Sequence, residues 1–201
     1  MTINGSTIWN DFGGISQTCE SDTKHVKSAR SDDGKVIINL ATADSVGRRV
    51  SLADITQPIV LQAVELWSEH KGAKKFPSKD AMTPRRMKAF LRNIALIAVM
   101  GEKPDYEYRV FGDAAAVAFG RNLTGMRIAD LNRLQPGYGD VMARVFNFVR
   151  RTAAPVFVRG TLVRAEIKID EQQAAFLPLG RDDLVDHILY VGAYTPVYNY
   201  N

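Results

Sequence analysis

The stretch that most constrains this chain is Asp105 to Leu131, DYEYRVFGDAAAVAFGRNLTGMRIADL. It reads as a strand, a glycine, a short helix, a second glycine and a polar turn. Tyr106 to Phe111 alternates in the manner of a strand, with Tyr106, Tyr108 and Val110 on one face and Glu107, Arg109 and Phe111 on the other. Gly112 is expected to break that strand, because glycine reaches backbone angles that cost other residues. Asp113 fits a helix N-cap ahead of an alanine run, and Gly120 fits the residue just past the helix end. Asn122 and Gly125 mark a further turn. No catalytic residue set appears within it.

The elements on either side give this stretch its context. A helix is predicted from Pro58 to His70, with proline in its first turn and Val60, Ala63, Val64 and Trp67 on one face. Gly72 stops it. Thr83-Pro84 is expected to open a second helix carrying Arg85, Arg86 and Lys88, with Met87, Phe90 and Leu91 on its apolar side. Ile94 to Met100 and Tyr106 to Phe111 form a hairpin across Gly101 to Asp105. A long helix is predicted from Tyr138 to Arg150, and Arg150-Arg151 suit the negative end of its dipole. Three strands follow: Val156 to Leu162; Ala165 to Leu179, interrupted at Glu171-Gln172-Gln173; and His187 to Thr195. Gly180 to Asp183 is the last turn. Five strands joined largely by adjacent hairpins argue for an α+β fold, an antiparallel sheet with helices on one face and flanking helices before it.

Residues 1–55 are organised differently. Ser, Thr, Asp and Gly recur there without a sustained period. Two apolar islands stand out, Ile8-Trp9-Asn10-Asp11-Phe12 and Lys35 to Leu40, the second a short strand candidate. The segment is either a tail or an arm that docks on its own domain or on a partner, with Trp9 and Phe12 as anchors. The domain is expected over residues 56–197, with 198–201 as a tail. The first 55 residues hold six Lys/Arg and seven Asp/Glu, the remainder twenty and fifteen. This mild basic excess lacks the sharp stripe of a nucleic-acid binder. Cys19 is the single cysteine, so no intrachain disulfide forms, which suits a reducing cytoplasm. No apolar run reaches the ~20 residues of a membrane span.

These residues resemble PAS sensor domains, in particular a bacterial PAS-like subgroup first catalogued as a domain of unknown function. The resemblance rests on the order of elements and on a series of short motifs. These are Phe76-Pro77-Ser78, Met82-Thr83-Pro84, Leu91-Arg92-Asn93-Ile94, Tyr108 to Gly112, Phe119-Gly120 with Leu123-Thr124-Gly125, Leu177-Pro178-Leu179, and Asp186 to Leu189. It covers about residues 57–197. The resemblance implies a sensory or interaction module that holds a small molecule between sheet and helices, pairs with itself or another protein, and signals by shifting those contacts. No kinase, cyclase or DNA-binding segment follows the last strand before Asn201, so signalling is expected to pass to a separate protein partner. Tyr108, Val110, Phe119, Met142 and Phe146 are the expected pocket lining, with plain core packing as their alternative role.

Chemistry beyond this is sparse. His25, His70 and His187 are scattered and show no zinc-ligand spacing. His187 as a haem ligand is disfavoured against an ordinary hydrogen-bonded histidine. A flavin photosensor would carry a reactive cysteine within 113–131, and none is there; no cofactor is predicted. No Gly-x-Ser-x-Gly and no phosphate loop is present. Arg150-Arg151 suggest a cyclic dinucleotide only as a minor alternative to a charged helix end. Arg109 and Arg159 sit in apolar strands, where each needs a partner, solvent or an acidic ligand. Arg85 and Arg86 offer a cationic contact surface or a solvated face.

Three functions compete. The first is a non-enzymatic PAS-type regulatory module. The second is a pure interaction adaptor using the outer sheet face and the N-terminal arm. The third is an enzyme, for which Asp113 and His187 are candidates by residue type alone.

Overall fold

The computed structural model describes residues 48–101, 105–134, 136–163 and 168–196. Its centre is one six-stranded antiparallel sheet: β1 (Arg48–Val50), β2 (Ile94–Met100), β3 (Asp105–Phe111), β4 (Val156–Val163), β5 (Lys168–Arg181) and β6 (Leu184–Pro196). The spatial order is β1-β4-β5-β6-β2-β3. The sixth strand, one more than the sequence predicts, is β1. It comes from the segment read as tail or arm and pairs along the edge of β4, Arg49 opposite Val158. The island at Lys35 to Leu40, Trp9, Phe12 and the tail from 197 lie outside the described residues.

Four α-helices accompany the sheet: α1 (Pro58–Lys71), α2 (Asp113–Phe119), α3 (Ile128–Leu134) and α4 (Tyr138–Thr152). α1 runs one residue beyond the predicted end and stops at Gly72, whose φ of 53° favours glycine. Thr83-Pro84 does not open a helix. Residues 84–90 form successive turns, ending in a 3-10 turn at Leu91–Asn93. The backbone here tightens to three-residue steps: Phe90 and Asn93 donate their N–H groups to the carbonyls of Met87 and Phe90, and Met87, Phe90 and Ile94 are all buried.

The helices do not share one face. Along β5, Gln172 and Phe176 point to the side of Tyr190 and Phe146. Gln173 points to the other, where it meets the start of α1. α2, α3 and α4 therefore occupy the inner face, while α1 and the turns of 76–91 cover the outer face. The sequence carried a signal for this. IALIAVM and AAFLPL are continuous apolar runs rather than alternating ones, as strands buried on both sides require. An open outer face, the surface expected for an adaptor, is thus largely taken up by the chain itself.

β5 also runs unbroken through Glu171-Gln172-Gln173, so the expected interruption is absent. Gln173 is fully buried and satisfied. Its Oε1 accepts the backbone N–H groups of Thr56 and Gln57 at 2.7 and 3.1 Å, and its Nε2 donates to Thr56 Oγ1 at 2.9 Å. One side chain so pins the entry of α1 to the centre of the sheet. At the other end of α1, Trp67 Nε1–H donates to the Pro178 carbonyl at 2.8 Å.

Candidate functional site

β3 carries an irregularity that decides which residues meet. In its pairing with β2, Val110 lies opposite Leu96 and Tyr108 opposite Ile97, leaving Arg109 as an extra residue. Such a bulge reverses the alternation of side chains beyond it. Tyr106 and Tyr108 face inward; Val110 then turns to the outer face and Phe111 turns inward. Val110, expected in the pocket, is 42% exposed, and Phe111 occupies the place assigned to it.

On the inner face Tyr108, Phe119, Met142 and Phe146 come together, with Phe111 and Tyr190 completing the cluster. Rings meet edge to face: Tyr108 with Phe111 at 5.4 Å between centroids, Phe111 with Phe119 at 5.6 Å, Tyr106 with Phe146 at 5.2 Å. The cavity left between them is about 10 Å³, room for about one water molecule. α2 reaches this position because Gly112 alone separates it from β3. Gly112, not Asp113, is the N-cap, and its φ of −65° is ordinary backbone. Glycine is needed there for space, since a Cβ would collide with the Arg92 carbonyl oxygen. Asp113 is the first helical residue. Its carboxylate is held below the usual range by hydrogen bonding from the Arg92 guanidinium, at 3.0–3.1 Å.

Beside the aromatic cluster lies a polar one. Gln172 Nε2 donates to Tyr190 OH at 2.8 Å, and Tyr190 OH lies 2.7 Å from Tyr194 OH. Tyr108 and Tyr138 bring their hydroxyls close enough to be felt electrostatically. Burial pushes Tyr190 up to about 12 and raises Tyr108, Tyr138 and Tyr194 as well. Gly192 makes room for two of these groups, because a Cβ there would meet both Tyr190 OH and Tyr194 OH. Gln172 Oε1 is buried without a hydrogen-bond partner.

The remaining sequence candidates do not enter this interior. Arg109, at the bulge, is ion-paired with Glu107 at 2.8 Å. Arg159 pairs with Glu171 and donates to the Asp54 carbonyl at 3.2 Å, tying the β1 edge to the sheet. Arg85 and Arg86 are exposed on the 84–90 turns, Arg86 donating to the Ala81 carbonyl at 2.9 Å. Asp113 and His187 are not brought together. Gly112 bonds Ile94 at one end of β2, whereas His187 lies opposite Ala98, and its Nδ1 is 2.7 Å from Asp186. Among the described residues no group of three or more His, Cys, Asp or Glu is placed to hold a metal, and no helix is long and apolar enough to cross a membrane.

A different opening exists on the outer face, and the sequence reading missed it. It is an apolar groove of about 340 Å³ between the 79–91 turns and the sheet. Met82, Met87 and Leu91 form one wall; Leu96, Val110 and Leu189 form the other. Finding it from sequence required knowing that the bulge turns Val110 outward.

The fold is thus an α+β domain, an antiparallel sheet covered on both faces with short helices crossing its inner face after the edge strand β3. A family model described as PAS domain matches residues 55–194, and the chain belongs to that family. PAS domains are sensory and regulatory modules. No curated protein and no solved structure matched the chain.

Proposed function

We propose that this chain is a non-enzymatic regulatory PAS module that works by contact with a separate signalling protein. The observation that carries this reading is the contrast between the two faces of the sheet. The inner space is closed by aromatic side chains to about 10 Å³, while the outer face keeps an open apolar groove of about 340 Å³. A module filled inside and open outside recognises by its surface, and grooves of this size with a few polar groups at the rim suit anchoring side chains. The single cysteine suits work in a reducing compartment. The test is recovery of the native complex from the source cells with the full chain as bait, beside the Val110→Arg variant. A stoichiometric protein held by the native chain and lost from the variant is the expected result. Equal recovery by both removes the groove from the function.

A second reading, a small ligand in the inner face, has one observation in its favour: the unpartnered Gln172 Oε1 among buried tyrosine hydroxyls. An occupant there has to donate a hydrogen bond and be uncharged, since the described groups around Gln172 Oε1, Tyr190 and Tyr194 are all neutral. Native mass spectrometry of freshly purified protein decides this. A retained mass that disappears in Gln172→Leu supports it, and the bare chain mass removes it.

A further inference from the structure

The outer groove is lined by one cation and one acid, Lys79 and Asp80, and the surface beside it carries an excess of cations. Lys79 borders it, and Arg85, Arg86 and Lys88 stand exposed on the turns that form its wall. Asp80, in the lining itself, is neutralised by its ion pair with Arg181. The floor is apolar and partly built of methionine, whose unbranched side chain adapts to different guests. The groove therefore fits a short segment with apolar anchors and acidic neighbours.

This chain contains such a segment. Its first 22 residues carry Asp11, Glu20 and Asp22 and no lysine or arginine, and Ile8, Trp9 and Phe12 lie within them. They belong to residues 1–47, outside the described part. The tether is long enough. Residues 13–47 lead to Arg48 at the β1 edge, and a flexible chain of that length spans roughly 33 Å on average. The groove lies beside β2, four strand steps from β1, or about 19 Å at the usual spacing. The other island, Lys35 to Leu40, is a poorer candidate. Residues 41–47 allow at most about 27 Å of extended chain, and α1 stands on the same face between β1 and the groove, so the path must rise past it.

We propose that Ile8 to Phe12 of the chain's own N-terminal segment docks in the outer groove, with Trp9 and Phe12 against Met82, Met87 and Val110 and the acidic residues facing the Lys79, Arg85, Arg86 and Lys88 rim. The groove is then self-occupied, and a signalling partner gains access by displacing the arm. This builds on the groove as recognition surface. Its test is read on the isolated chain, so it stands or fails separately from partner capture.

The chain has two tryptophans, Trp9 and Trp67, and Trp67 is buried under α1. The full chain labelled with 5-fluorotryptophan therefore gives two fluorine resonances, which Trp9→Phe assigns. The Trp9 resonance is expected away from that of a synthetic peptide of residues 1–22, at a position independent of protein concentration. Val110→Arg is expected to move it to the peptide position, and Arg85→Glu with Arg86→Glu to move it part of the way. The Trp67 resonance stays in place in every variant and reports an intact fold. A Trp9 resonance already at the peptide position overturns the proposal. So does one that ignores both sets of groove substitutions, and so does a concentration-dependent shift, which assigns the groove to a second copy.

Discussion

Gln172 and Gln173 are neighbours in sequence and opposites in energetics. Gln173 satisfies two backbone N–H groups at the entry to α1, so Gln173→Leu strands both in a buried place. Each stranded donor costs about 1–3 kcal/mol, and chemical denaturation is expected to show a loss of at least ~2 kcal/mol. Gln172→Leu removes an acceptor that is already unpartnered and leaves Tyr190 its contact with Tyr194, so its effect is expected within ~1 kcal/mol. Equal effects would contradict the assignment of faces along β5. Gly112→Ala meets backbone rather than a yielding side chain. It is expected to cost about 1–3 kcal/mol, as overpacking does, read as a lowered denaturant midpoint. These roles were not legible from sequence. A glutamine in a strand has the same letter whether it caps a helix over a hundred residues away or faces a hydroxyl, and Gly112 resembled a conformational glycine while serving a steric need.

At the scale of elements, the outcomes divide by the range of the forces involved. α1, α4 and the β2–β3 hairpin were legible because proline, glycine and apolar spacing within one segment determine them. The turns of 84–90 were not, since the start signal at Thr83-Pro84 is local and the pull of the outer face on Met87 and Phe90 is not. The β5–β6 hairpin is tighter than the predicted Gly180 to Asp183 turn. Only Asp182 and Asp183 lie between the strands, with φ of 50° and 66°. Both angles positive is the pattern of the mirror-image turn that prefers Asn-Gly. Replacing Asp182-Asp183 by Asn-Gly is therefore expected to stabilise the domain by about 0.5–1 kcal/mol, offset in part by losing the exposed Lys75–Asp183 ion pair. A thermal midpoint that falls would show the turn to be held by that pair instead.

For the molecule as a whole, burial of phenol groups sets a limit at high pH. Tyr106 and Tyr190 each rise from 10.0 to about 12, in both cases chiefly through burial. A raised folded-state value means the neutral phenol is favoured by folding. Its contribution is complete below pH 10 and is lost as pH rises toward 12. Unfolding followed by circular dichroism is thus expected to set in above pH 10, with tyrosinate absorbance from these groups appearing together with loss of ellipticity. Tyrosinate formation well before any loss of ellipticity would mean the hydroxyls reach water in the native state. The PAS family was legible from the order of elements together with the short motifs placed along it, and the α+β architecture from that order. The filled interior was not, because it depends on which side of β3 two adjacent residues face. That is where Arg109 acts. The bulge works like a frameshift for faces: one inserted residue changes the parity of all that follows in the strand. Deleting Arg109 would leave Val110 outward and Phe111 inward, because Tyr108, Val110 and Phe111 then alternate plainly; regular pairing with Arg109 kept would instead bury the valine and expose the phenylalanine, exchanging the lining of the core for the wall of the groove. The two surfaces of this sheet are therefore coupled through strand register, and a one-residue slip there exchanges both linings at once, which no single substitution does.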